Sequence, residues 1–344
     1  VSHHGPSASG LYAGVGDGEP VGVDADLCQA LGLRLAERVV VATREGVVRE
    51  ARGSDDALLD LAPLSGKCVG LVDVPRDDWD APLLLRAFRE SAWARATATR
   101  FELVSLELLE KGHQRRISSY DFATGFERAE RPAWLIEVLK QSAGPDAWLF
   151  GPWLGVKRAL ARELAHGVGV AVGEVTSPLG GVAGARFEAR RDALLAALGA
   201  ELRRELVQAV HVTGEGVALE LEGGARLDAD AAVLATGGFV SGAIALTGAL
   251  SGAEPAGFEL TIRGLPSLHV AGAVDPISSL YGVDLAARGR RLLEHVGVAA
   301  SAEGRVRGAA RVYVAGDLLG AGAPSVGQAL TTGLRAGTAA ALGH

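Results

Sequence analysis

Methionine is absent from all 344 residues, cysteine occurs only at Cys28 and Cys68, and lysine only at Lys67, Lys111, Lys140 and Lys157. Two thiols outside any spaced motif exclude an iron–sulfur or zinc centre built by this chain alone, and they suit a reducing compartment. No other metal-ligand spacing, Ser-His-Asp order or carboxylate pair stands out, so no metal site is expected. Basic residues are too few for a nucleic-acid binder: the net charge is -7 and the isoelectric point about 5.7. The scarcity of lysine beside 47 glycines and much alanine reads as a compositional bias of the source. The first twenty residues lack a basic region and an apolar core, so no signal peptide is expected. Val1 falls in what reads as the end of a strand or the loop after it, which leaves open whether a segment precedes it. Charge is missing from Ala231 to Ala253, 23 residues, long enough to weigh as a membrane span. Gly237 and Gly238 interrupt that run, and a strand over Ala231–Thr236 followed by a turn is the better reading.

What is present is a globular chain, 48% hydrophobic and 22% charged, long enough for two domains. Val1 to Val21 is serine- and glycine-rich loop. Ala25–Ala36 reads as a short helix, and Val39–Thr43 with Val47–Arg49 as a hairpin turning at Glu45-Gly46. From Lys67 to Thr176 apolar strands (Cys68–Val74, Phe101–Leu106, Trp148–Phe150, Val170–Val175) alternate with helical segments (Ala81–Thr99, Tyr120–Ser142, Lys157–His166). That alternation predicts a small parallel α/β layer. It contains the densest basic patch, Lys111-Gly112-His113-Gln114-Arg115-Arg116, in a loop after a strand. Arginine forks match phosphate oxygens, and a histidine can move a proton near neutral pH; a solvated loop explains the same residues. Pro178, Gly180, Gly181 and Gly184 precede a helix whose start carries Arg186, a cation placed against the helix dipole. A ligand anion or a nearby carboxylate would explain it. Arg203 to Asp228 alternates as a three-stranded meander and leads into Ala231–Thr236 and the turn Thr236-Gly237-Gly238.

The chain ends in the pattern V-Y-V-A-G-D from Val312, an uncharged glycine-rich loop, and a helix from Gln328 to Ala341. A strand, a glycine turn and a helix N-terminus make a place for a polar, electron-accepting ligand. Asp317, at the strand's carboxyl end, can accept hydrogen bonds from hydroxyls.

Three of these stretches, Ser177–Arg186, Ala235–Phe239 and Val314–Gly337, carry a resemblance. The last resembles the C-terminal flavin signature of the fumarate reductase/succinate dehydrogenase type of flavoprotein. Together with S-H-H-G-P-S-A-S-G-L-Y-A-G near the N-terminus, the chain is similar to the B-subunit family of anaerobic glycerol-3-phosphate dehydrogenases. The resemblance implies an α/β fold of the two-dinucleotide-binding-domain flavoprotein type (FAD/NAD(P)-binding). Its first βαβ unit is lacking, since no G-x-G-x-x-G follows a strand. Residues 1–66 and 177–344 would form a discontinuous flavin domain, with 67–176 inserted as a substrate or cap domain. FAD or FMN would be held by Ser7, Ser9, Gly10, Thr236, Gly237, Gly238, Gly316, Asp317, Gly327, Gln328, Ala329 and Leu330. His113 would take the proton of a secondary alcohol such as glycerol 3-phosphate, with Arg115, Arg116 and Arg186 on its phosphate. Catalytic and iron–sulfur partner subunits would carry electrons to quinone, giving a cytoplasmic protein that meets the inner face of the membrane only through a partner. Two alternatives stay open: a free-standing fumarate-reductase-like FAD enzyme whose N-terminus is truncated, and a flavin-free structural subunit.

Overall fold

A computed structural model describes residues 25–142, 144–178, 180–238, 241–247, 257–262, 297–320 and 326–343. The chain separates into two compact units that meet in sequence between Glu201 and Leu202. It is mixed α/β, with a four-stranded parallel sheet in the first unit.

The first unit opens with helix α1 (Ala25–Ala30). The helix expected to reach Ala36 stops there because Gly32 turns left-handed at φ +67°, and Leu33 to Ala42 continue as strand β1. β1 pairs antiparallel with β2 (Val48–Asp55), so the hairpin is longer than its apolar core predicts, with a bulge between Leu35 and Val39. The parallel sheet follows: β3 (Cys68–Asp73), β4 (Arg100–Ser105), β5 (Ala147–Phe150) and β6 (Ala171–Glu174), in spatial order β4-β3-β5-β6. All four expected strands are present within a residue or so; β3 and β5 are buried apolar runs in the middle of the sheet, while edge strand β4 buries only Phe101.

The helical segments are more divided than expected. Ser91 accepts from the Ala94 N–H at 3.1 Å and donates to the Phe88 carbonyl at 2.7 Å. It thereby ends α2 (Ala81–Glu90) and caps α3 (Ala92–Thr97). Pro132 in the first turn of α5 (Arg131–Gln141) separates it from α4 (Ser119–Phe126). Gly155, at φ +91°, keeps 151–160 out of helix, so α6 spans only Ala161–Val168. Helix α7 (Val182–Ala197) closes the unit.

The unit is wider than the 67–176 segment, and the reason is hydrogen bonding. Leu58 forms a parallel bridge with Glu174, and the Glu174 N–H donates to the Ala57 carbonyl at 2.8 Å. The Thr176 N–H donates to Ala42, and the Leu61 N–H to Val40. The hairpin and its connection are thus stitched to β6, and one core runs from Val40 through Leu71, Phe88, Phe101, Trp148 and Phe150 to Val182. Burying each such large side chain stabilises the fold by roughly 1.5–3 kcal/mol.

The second unit contains the expected meander, β7 (Val207–Val212), β8 (Val217–Leu221) and β9 (Arg226–Ala229), with Gly223 and Gly224 turning at positive φ. β10 (Ala232–Leu234) pairs in parallel with β13 (Val312–Val314), and β11 (Ile244–Thr247) pairs antiparallel with β12 (Gly257–Leu260). The uncharged run from Ala231 is therefore a strand, a turn and the start of a hairpin, and no helix among the described residues is long and apolar enough to cross a membrane. β13 is buried on both faces. Val312 and Val314 join a core with Leu234, Val298 and Leu318, while Tyr313 and Ala315 pack with Ala336 and Ala339 of helix α8 (Val326–Leu342). The sequence also reads Leu260–Leu265 as a strand; β12 ends at Leu260, Thr261 and Ile262 form a bend, and residues 263–265 lie outside the described residues. Val283–Val296 reads as a helix, and His269 and Asp275 as candidates to line a site; these, with the rest of Ala271–Asp275, lie outside the described residues.

Candidate functional site

The parallel pairing of Leu234 with Val314 fixes the register of two turns. Both leave the carboxyl ends of neighbouring strands, where α/β sheets place ligands. After β10 comes Thr236-Gly237-Gly238, with Gly237 at φ +80°. After β13 comes a single 3-10 turn, Gly316–Leu319, entered through Gly316 at φ +68°. The turns touch: a β-carbon on Gly238 would stand 3.1 Å from the Asp317 carbonyl oxygen. Helix α8 packs beside them, and a β-carbon on Gly316 would lie 3.9 Å from that of Ala329. Thr236, Gly237, Gly238, Gly316, Asp317 and Ala329 are thus brought together. Gly327, Gln328 and Leu330 occupy the first turns of the same helix. Ser7, Ser9 and Gly10 lie outside the described residues.

The Gly316 N–H is not available to a ligand. It donates to Thr332 Oγ1 at 2.8 Å, and that hydroxyl donates to the Gln328 carbonyl at 2.7 Å. Thr332 therefore ties the glycine turn to α8, a part the sequence reading missed. Its signal was a threonine inside a helix, which can turn back on the preceding carbonyls. Asp317 is different: its carboxylate has no hydrogen-bond or ion partner among the described residues, and burial pushes its pKa up. A half-buried acid of this kind suits a hydroxylated ligand.

Thr236 also lines a cavity of about 620 Å³, with Gln208 on β7 and Ser241, Gly242 and Thr261 around it. The lining offers hydroxyls, an amide and the Glu205 carboxylate, which pairs with Arg203 at 3.4 Å. The sequence reading did not single out Gln208 or Ser241, which come from segments far apart in the chain.

The residues expected to hold substrate all belong to the first unit. His113, Arg115 and Arg116 lie on or beside the 3-10 turn Gly112–Arg115 after β4, all exposed. Asp77 pairs with both arginines, at 3.7 Å and 3.5 Å. Exposed pairs of this kind contribute little to stability. The loop beneath them is firmly held. Buried Arg76 donates to the carbonyls of Gln114 at 3.0 Å and Ile117 at 2.9 Å, and Arg131 donates to that of Leu108 at 3.1 Å.

Arg186 is not among them in space. It is 2% exposed, lies 2.6 Å from Glu174 Oε2 and 3.8 Å from Asp55 Oδ1, and donates to the Gly155 carbonyl. Of the two explanations for a cation at this helix start, the nearby carboxylate is the one seen. Burial, the strongest influence, pushes the Glu174 carboxyl up to about 7, against the opposing pull of Arg186.

The strand order places a topological switch point at the carboxyl ends of β3 and β5. Side chains fill it. Trp79 and Trp153 meet edge-on with centroids 5.1 Å apart, Phe122 packs on Trp153 at 5.7 Å, and the Arg76 guanidinium lies 4.5 Å from the Phe122 ring. Among the described residues of the first unit, nothing offers a dinucleotide cradle there. Comparison of the chain with protein-family models, with curated proteins and with solved structures found no match.

Proposed function

We propose that this chain is a flavin-dependent oxidoreductase subunit of the two-dinucleotide-binding-domain type, similar to the B subunit of anaerobic glycerol-3-phosphate dehydrogenase. In this reading it oxidises glycerol 3-phosphate or a related secondary alcohol, and catalytic and iron–sulfur partner subunits pass the electrons toward quinone. The observation that carries the reading is the contact of Gly238 with Asp317, at the ends of two neighbouring parallel strands, with the acid half-buried and without a partner among the described residues.

The residues present fit a flavin in part. Asp317 would accept hydrogen bonds from ribityl hydroxyls. The backbone of Thr236–Gly238 supplies a flat approach where a β-carbon on Gly238 would crowd Asp317. The amino end of α8, with its helix dipole, would favour the flavin's electron-rich carbonyl oxygens. When bound, the flavin supplies a two-electron acceptor. His113 is the proposed base for a substrate hydroxyl, and Arg115 and Arg116 would bind anionic oxygens once Asp77 is displaced from them. Arg186 has no part in substrate binding here, because its guanidinium is committed to Glu174, Asp55 and Gly155.

The test is the visible spectrum of the purified protein, followed by acid release and chromatography of any cofactor. Flavin absorption with FAD or FMN released supports the reading. A colourless protein, with its partner subunits present, would favour the structural-subunit alternative.

A further inference from the structure

Three consecutive backbone N–H groups in the loop after β5 converge on one oxygen. Val156 donates at 2.8 Å, Lys157 closely, and Arg158 at 3.2 Å, all to Glu127 Oε1. Such convergence is the geometry of a backbone nest, which favours anions. The loop is shaped for it from behind. Leu154 donates to Glu174, the Gly155 carbonyl accepts from Arg186, and Gly155 lies at φ +91° with the Arg158 carbonyl where its β-carbon would be. Lys157 is exposed beside the nest and has no ion partner among the described residues, while Arg158 pairs with Glu163. The loop leaves the carboxyl end of a central parallel strand and leads into α6, where α/β proteins hold anions.

We infer that the nest of Val156, Lys157 and Arg158 is a phosphate-monoester site for which the Glu127 carboxylate is the resident, displaceable occupant. A phosphate offers more acceptor oxygens than the one that Glu127 presents, and Lys157 adds a cation to it. Glu127 leaves the nest as the ligand enters, so affinity is set by competition between the two anions. The choice of a phosphate ester over other anions rests on the proposed substrate class.

The test is titration of the full chain at constant ionic strength, reading the amide resonances of Val156, Lys157 and Arg158. The probes are inorganic phosphate, glycerol 3-phosphate and, as the uncharged control, glycerol. Both phosphates are expected to move these three amides saturably, and glycerol to leave them in place. Glu127→Ala should tighten phosphate binding about tenfold by removing the competitor, Glu127→Gln by a smaller factor, and Lys157→Gln should weaken it severalfold. Wild-type amides that do not respond, or Glu127→Gln with wild-type affinity, would overturn the assignment. The Gln variant decides the matter if Glu127→Ala does not fold. No flavin is needed for these measurements. A colourless protein that binds phosphate here counts against the flavin reading alone, and a flavin-bearing protein with silent amides counts against this site alone.

Discussion

Gly238 packs its α-carbon against Asp317, close enough that an added methyl would stand 3.1 Å from the Asp317 carbonyl oxygen and 3.3 Å from its β-carbon. Space, rather than a left-handed backbone, is what this glycine supplies. Gly238→Ala should therefore push the two turns apart by a few tenths of an ångström. The expected result is a loss of about 1–2 kcal/mol in unfolding free energy together with reduced flavin content. Denaturant melts and absorbance at matched protein concentration measure both.

Asp317→Asn separates a binding role from a structural one. The carboxylate has no partner among the described residues and its charge is disfavoured by burial, so the apo-protein should melt at the same temperature or slightly higher. Flavin affinity should fall by about tenfold to a hundredfold, the worth of one charge-assisted hydrogen bond. Loss of stability without loss of flavin would assign Asp317 to the fold instead.

Arg186→Ala should unfold or severely destabilise the first unit, by about 3–5 kcal/mol, because two buried carboxylates would lose their shared guanidinium. Thermal melts show this. A well-folded variant that had lost only affinity for an anionic substrate would restore the clamp reading.

Stability should also fall as pH rises toward neutrality. Burial lifts Glu174 to about 7 from an ordinary 4.5, with Asp55 adding repulsion and Arg186 opposing. A carboxyl whose folded pKa is the higher one holds its proton more tightly when folded. The stability it contributes is complete below the unfolded value and is lost as pH rises through the folded one. The loss between about pH 5 and about pH 8 should amount to roughly 3 kcal/mol, and Glu174→Gln should flatten the profile. A wild-type profile that rises over this range would show that Arg186 outweighs burial.

The α/β character was legible because it rests on local signals. Four apolar runs separated by helical lengths gave β3 to β6, and the alternation after Arg203 gave the meander. The pairing of Ala232 with Val312 could not be read, since it depends on chain closure across the residues between them. Ser91 and Pro132 could have revealed the helix breaks, had capping been weighed against periodicity. Arg186 misled for a physical reason. A cation against a helix dipole needs an anion, and the sequence does not say whether that anion is a ligand or, as here, Glu174 brought from another strand. The Glu127 nest has no sequence signature, because backbone donors are the same in every residue but proline.

The bridge between Leu58 and Glu174 sets an order of events during synthesis. The segment that covers the outer edge of β6 is made before any strand of the sheet, and it must wait for the last strand to emerge. Until then Leu58 has no strand to bridge, and afterwards β6 offers an open edge until the earlier segment returns. Closure of so distant a contact is slow, and an open strand edge can capture another chain. A ribosome paused before Glu174 would hold the first unit with its sheet open. Truncation of the hairpin should therefore show itself first as aggregation during expression.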